Sequence, residues 1–243
     1  MPITPTPQRP EAATRRPQSG PPLLAPALAF AVLTVAYAVV NRSTPHPDAS
    51  GLAVLHYAQT HGGAIKLGSF LLFASAVPLA LGAAVLYRRL RALGITAPGS
   101  AITLVGGVLA SGALTLSAMF AWSGGRLPAD APPALARALA DLSFLSGGPA
   151  YVVTYALLTA GISVTGLLAG LLPRAVTWTG LLLAAIGMVS TLTLLASGFG
   201  YLLPVVRFGG TIWLLFVAAQ LPHTRTRTAQ KTAQKNDPHP AAS

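Results

Sequence analysis

Long apolar runs alternate with short polar segments along this 243-residue chain, and that alternation is its strongest structural signal. The runs extend from Leu23 to Val40, Ala64 to Tyr87, Ala101 to Trp122, Pro149 to Leu172, Trp178 to Ser197 and Pro204 to Leu221. A helix rises ~1.5 Å per residue, so about 20 apolar residues match the hydrocarbon thickness of a bilayer. Each run reaches or approaches that length. The pattern predicts an all-α fold, a polytopic membrane helix bundle with six transmembrane helices filling residues 23–222.

Two of the connections between spans carry amphipathic patterning instead of simple turn residues. In the first, Asp48 or Ser50 caps a short helix bearing Leu52, Leu55 and Gln59, and Gly62-Gly63 are expected to end it. In the second, Asp130 precedes Pro132-Pro133 at a helix start, Leu135, Leu139 and Leu142 form one stripe, and Gly147-Gly148 are expected to end it. Arg137 and Asp141 stand at i,i+4 on its polar side. Both short helices are expected at the outer membrane surface. The order of Asp, short helix, Gly-Gly, span and arginine occurs twice, ending at Arg88 and at Arg174, which suggests a duplicated two-span hairpin. A division into inverted halves of three spans, with Gly106-Gly107 matching Gly209-Gly210, is the competing scheme.

The segments outside the spans have a different composition. Residues 1–22 are rich in Pro, Arg, Thr and Gln, and residues 223–243 carry Thr-Arg-Thr-Arg-Thr and a duplicated Thr-Ala-Gln-Lys. Neither has enough apolar surface to offset the entropy of ordering, so both are expected to be disordered.

Composition agrees with the pattern: 53% of residues are hydrophobic, only 9% are charged, and mean hydropathy is +0.62. That balance excludes a water-soluble core. Basic residues are retained on the cytoplasmic side of a membrane. One side of the six-span scheme collects Arg9, Arg15, Arg16, Arg88, Arg89, Arg91, Arg174, Arg225, Arg227, Lys231 and Lys235, against Arg42, Arg126 and Arg137 on the other. Both termini are therefore expected in the cytoplasm. The net charge of +11 borders the spans, so the expected partners are membrane lipids, including anionic headgroups, and not nucleic acid. Absence of cysteine excludes disulfides, thiolate metal sites and cysteine nucleophiles. Ala36-Tyr37-Ala38 resembles a signal-peptidase site after Arg15 and Arg16, but the charge alternation downstream needs six crossings, which favours a retained first span.

Small residues recur every four positions, as Gly107, Ser111 and Thr115, Gly166 and Gly170, and Gly180 and Ala184. Such ridges let helices approach closely, within one bundle or against a membrane-protein partner or a second copy of the chain.

Several local patterns, namely Leu55-His56-Tyr57 with His61 in the Asp48 loop, Leu142-Ser143-Phe144 before Pro149, Leu172-Pro173-Arg174, and Arg207-Phe208-Gly209-Gly210 with Trp213, resemble an uncharacterised family of six-span bacterial integral membrane proteins. The resemblance covers about residues 23–222. It implies a six-helix fold in a bacterial plasma membrane and carries no activity, substrate or cofactor.

Candidate chemistry is confined to polar residues near the outer ends of the spans: His56, His61, Lys66, Trp122, Asp141, Tyr151, Tyr155 and Arg207. Lys66 and Arg207 are shallow enough to snorkel to the headgroups, and Tyr151 and Trp122 suit an interfacial aromatic belt. The functional alternative is that Lys66 and Arg207 converge on an anionic headgroup or carboxylate with Tyr155 donating a hydrogen bond beneath them. His56 and His61 are five positions apart, whereas ligands sharing a helix face are three or four apart, so no metal site is assigned. No span contains the histidines that haem ligation across a bilayer needs, and no span hydroxyl has a His or Asp at its depth for nucleophilic catalysis. No cofactor or enzymatic activity is assigned. The readings carried forward are ligand binding or transport at an outward-facing site, and a structural partner for another membrane protein.

Overall fold

The structure is a computed structural model that describes residues 22–222. All but one residue of the head and the whole of the tail lie outside that range. Every regular element within it is helical. Helix α1 (Leu24–Val40) leads through a loop to the short α2 (Gly51–Thr60) and the long α3 (Gly62–Ala92). Helix α4 (Gly99–Gly124) follows, then α5 (Pro133–Leu145), which passes through a π-helical turn (Ser146–Ala150) into α6 (Tyr151–Leu168). Helix α7 (Arg174–Val189) is extended by a 3-10 turn (Ser190–Leu194). The last crossing is composite: a 3-10 turn (Ser197–Tyr201), α8 (Leu202–Pro204), a second π-helical turn (Val205–Gly209) and α9 (Gly210–Gln220).

Five continuous helical stretches are long and apolar enough to cross a membrane, Gly62–Ala92, Gly99–Gly124, Pro133–Leu168, Arg174–Leu194 and Ser197–Gln220. Helix α1, at 17 residues, is a shorter apolar helix.

The distribution of side chains follows the rules of a membrane interior. On α4 the buried face is Ser100, Thr103, Gly106, Gly107, Ala110 and Ser111, while Ile102, Val105, Val108, Leu109, Leu116 and Met119 face outward. Large apolar side chains on an exposed face are costly in water and neutral in lipid, and small inward residues let backbones approach. Helix α3 repeats the pattern with Phe70, Phe73, Val77 and Leu81 outside. This is a membrane protein by the physics of its surface as well as by its helix lengths.

Glycine sets the closest approaches. A Cβ at Gly106 would lie 2.4 Å from the backbone nitrogen of Leu158, and one at Gly161 would lie 2.7 Å from the carbonyl oxygen of Gly99. One glycine of each small-residue ridge packs on the chain's own residues: Gly107 meets Ala83 and Leu158, Gly166 meets Leu172 and Thr177, and Gly180 meets Ser163 and Trp213, whereas Gly170 is exposed with nothing near its Cβ position. Span hydroxyls mostly turn to their own backbone, as in Thr103 to Gly99 O (2.8 Å) and Ser111 to Gly107 O (2.9 Å).

The packing places two sets of helix ends together. Arg89 of α3 donates to the carbonyl of Leu221 beyond α9 at 3.2 Å, marking an end of the bundle that also carries Arg88 and Arg91. At the opposite end Asn41 lies against Gly68, and Gly125 against Ile65. Helices α1 and α4 thus run toward this second end and α3 runs away from it.

At that second end the structure departs from the sequence expectation. Gly147-Gly148 do not end a helix: α5 and α6 form one 36-residue stretch, about 54 Å long, well beyond the hydrocarbon thickness. A glycine stops a helix by taking positive φ, and among the described residues only Gly94 and Gly170 do so. Gly147 and Gly148 stay helical, with Gly147 against Ser117 and Gly148 near Leu203 and Phe144. The first connection differs, since His61 breaks the chain between α2 and α3 with φ −119°. Of the two candidate caps, Ser50 accepts from the backbone N–H of Ala53 at 3.3 Å, whereas Asp48 pairs with His46 at 3.2 Å.

Helices α2 and α5 pack on each other. Leu55, Ala131 and Ala136 form a small separate core with Val54 and Leu127 beside it. Gln59 Nε2 donates to Ala129 O at 3.2 Å, and Arg137 donates to Ala49 O. A Cβ on Gly51 would stand 2.5 Å from the carbonyl oxygen of Pro133, so glycine is required there for this contact.

Candidate functional site

Beneath the α2–α5 pair the ends of α1, α3 and α4 and the composite last crossing leave a cavity of about 390 Å³. That volume is in the range of small-molecule sites. Its lining is mainly apolar, with Ile65, Phe120, Phe144, Val152, Leu203 and Phe208 around it.

The two π-helical turns bring the most telling polar contact to this cavity. Pro149 sits in the first turn and lacks the N–H that a continuing α-helix would use, and Pro204 immediately precedes the second. Gly147 and Gly148 of the first turn and Arg207 and Phe208 of the second all line the cavity. Arg207 donates through Nη2 to the carbonyl of Gly147, joining the turns. Its guanidinium lies 5.0 Å from the Tyr151 ring centroid and 5.7 Å from that of Tyr37. Cation–π contact of this kind holds the side chain in place without neutralising its charge. Arg207 has no carboxylate partner among the described residues.

The second charged group of the lining is already paired. Arg137 Nε and Nη2 contact the two carboxylate oxygens of Asp141 at 3.0 and 2.9 Å, a bidentate arrangement, while its Nη1 holds Ala49 O. Ser117 and Ser143 exchange hydrogen bonds, Ser117 Oγ to Ser143 O at 2.8 Å and Ser143 Oγ to Ser117 O at 3.0 Å, which fixes α4 to α5 on the wall. Ser69 and Tyr57 also line the cavity, and their hydroxyl oxygens are shielded and lack a hydrogen-bond partner.

Of the residues singled out from sequence, Arg207 and Asp141 line the cavity, with Tyr151 stacked under Arg207. Tyr155 lies one layer deeper: it stacks on Tyr151 at 5.5 Å and donates to Gly210 O at 2.8 Å. Lys66 points away on the exposed face of α3, while its neighbours Ile65 and Ser69 face the cavity. Lys66 and Arg207 are not brought together there. His56 is exposed on α2, and His61 stacks on Tyr57 at 4.5 Å. Trp122 is 44% exposed under the Arg126 guanidinium. No three of His, Asp and Glu converge among the described residues. Sequence reasoning missed Tyr37, Asn41, Tyr57, Ser69, Ser117 and Ser143 as cavity residues. Only Asn41, a polar residue at the end of an apolar run, gave a signal that could have found them.

No family model, curated protein or solved structure matches this chain.

Proposed function

We propose that the protein binds a small anionic or amphiphilic molecule in the cavity under α2 and α5. The observation that carries this reading is Arg207, a cation held near two aromatic rings, lining a largely apolar cavity and paired with no carboxylate among the described residues. A charge in such surroundings is costly, and an anionic ligand offsets that cost. In this reading α1 is a sixth crossing, retained because Leu23, Ala27 and Phe30 belong to the main core and Tyr37 supports Arg207. The end carrying Arg88, Arg89, Arg91 and Arg174 is cytoplasmic by the positive-inside rule, both termini lie on that side, and the cavity opens outward in a bacterial plasma membrane. The resemblance to six-span bacterial membrane proteins agrees with this arrangement. Gly107, Gly166 and Gly180 of the small-residue ridges pack within the bundle, which favours the cavity as the basis for function.

Native mass spectrometry of the protein released from lipid discs tests the reading. A retained small anion or amphiphile in the wild type that is absent from Arg207→Gln is the expected result. An empty wild-type cavity, or a molecule retained equally by the variant, overturns it.

A further inference from the structure

The charges around the cavity define its ligand more narrowly. The lining contains two guanidiniums and one carboxylate, together with His46 at the rim, where it pairs with Asp48. Arg137 is saturated by Asp141 and Ala49 O. Arg207 is not: of its five N–H groups, only the one bonded to Gly147 O has a hydrogen-bond acceptor among the described residues, and its guanidinium carbon stands 5.0 and 5.7 Å from the ring centroids of Tyr151 and Tyr37. One positive charge with unused donors therefore remains, in a cavity whose lining is mainly apolar and includes Phe120, Phe144, Phe208, Ile65, Val152 and Leu203.

Resting on the binding reading above, we infer that the ligand is a monocarboxylate with an apolar body, its carboxylate on Arg207 and its hydrocarbon among the Phe side chains. A planar carboxylate matches the donor fork of a guanidinium. A second negative charge would find no unpaired cation in the lining and would face Asp141. A neutral amphiphile would leave Arg207 uncompensated.

The same chemistry is supplied by fatty acids released from membrane lipids and by water-borne aromatic acids. Binding to the full chain in zwitterionic lipid discs, corrected with empty discs, separates the possibilities when decanoate, decanol and decyl phosphate are compared at pH 8, where the phosphate is dianionic. Decanoate is expected to bind about tenfold or more tightly than decanol, since a charge-assisted bond to one guanidinium is worth that much, and more tightly than decyl phosphate, whose second charge finds no unpaired cation. Arg207→Gln should bring decanoate down to the decanol level, and Arg207→Lys should restore part of the difference. Comparing oleate with phenylacetate then identifies the lipid-derived or the water-borne source. If decyl phosphate binds best and Arg207→Gln abolishes it, the monocarboxylate assignment falls while anion binding at Arg207 stands. If no probe depends on Arg207, both fall together.

Discussion

Arg207 shows how much of a site can depend on one side chain and its supports. Its position follows from a backbone carbonyl and two rings, and the lower ring, Tyr151, is itself stacked on Tyr155. Tyr155 is completely buried and its hydroxyl is anchored on Gly210, where a Cβ would come within 2.5 Å of the ring. Tyr155→Phe is expected to lower stability by about 0.5–1.5 kcal/mol, because one buried hydrogen bond is lost while the ring stays. Thermal unfolding in detergent, compared with wild type, measures this; an unchanged midpoint would mean that the bond to Gly210 contributes nothing. At this scale sequence reading recognised the residue types but not their facing. Lys66 and Ser69 are both polar and only three positions apart on α3, yet Ser69 is buried and lines the cavity with Ile65 four positions before it, whereas Lys66, turned about 100° from Ile65, is exposed.

Among the elements, the α2–α5 pair decides whether the cavity has a roof. Its contact relies on a small apolar core, two hydrogen bonds between distant segments and the close passage of Gly51 beside Pro133. Gly51→Val cannot fit that passage, since the neighbouring atom is a backbone oxygen and not the tip of a movable side chain. The variant should exchange the amide hydrogens of residues 51–60 about tenfold faster or more, with α3 and α4 unchanged, because losing a packed contact of about 1–3 kcal/mol acts on local opening. Hydrogen exchange followed by mass spectrometry reads both regions in one experiment. Amphipathic patterning made α2 and α5 legible as helices, but the continuity of α5 with α6 was hidden. A Gly-Gly-Pro sequence is read as a stop from local rules, and here contacts with Ser117, Leu203 and Phe144 keep those glycines helical.

At the scale of the whole molecule, the two ends of the bundle are chemically unlike. One carries Arg88, Arg89, Arg91 and Arg174, and the other carries the cavity. The absence of native cysteine makes orientation simple to measure. Ser43 and Thr96 are exposed at the two different ends, so Ser43→Cys is expected to react with a membrane-impermeant maleimide on intact expressing cells and Thr96→Cys only after lysis. The reverse labelling would invert the topology, and labelling of both in intact cells would remove α3 as a crossing.

The sequence by itself determined the solvent and the class of fold. Hydropathy sums along each segment, and apolar stretches of these lengths satisfy their backbone groups in lipid only as helices. It also marked Arg207, since a cation beside an apolar run is conspicuous wherever the run packs. The tertiary structure alone decided that Arg207 meets Gly147, Tyr37 and Tyr151, that Arg137 reaches Ala49 O, and that Lys66 does not line the cavity. Those outcomes depend on which faces of segments far apart in the chain come together, and a pattern read one segment at a time carries no information about the angle at which each helix meets its neighbours.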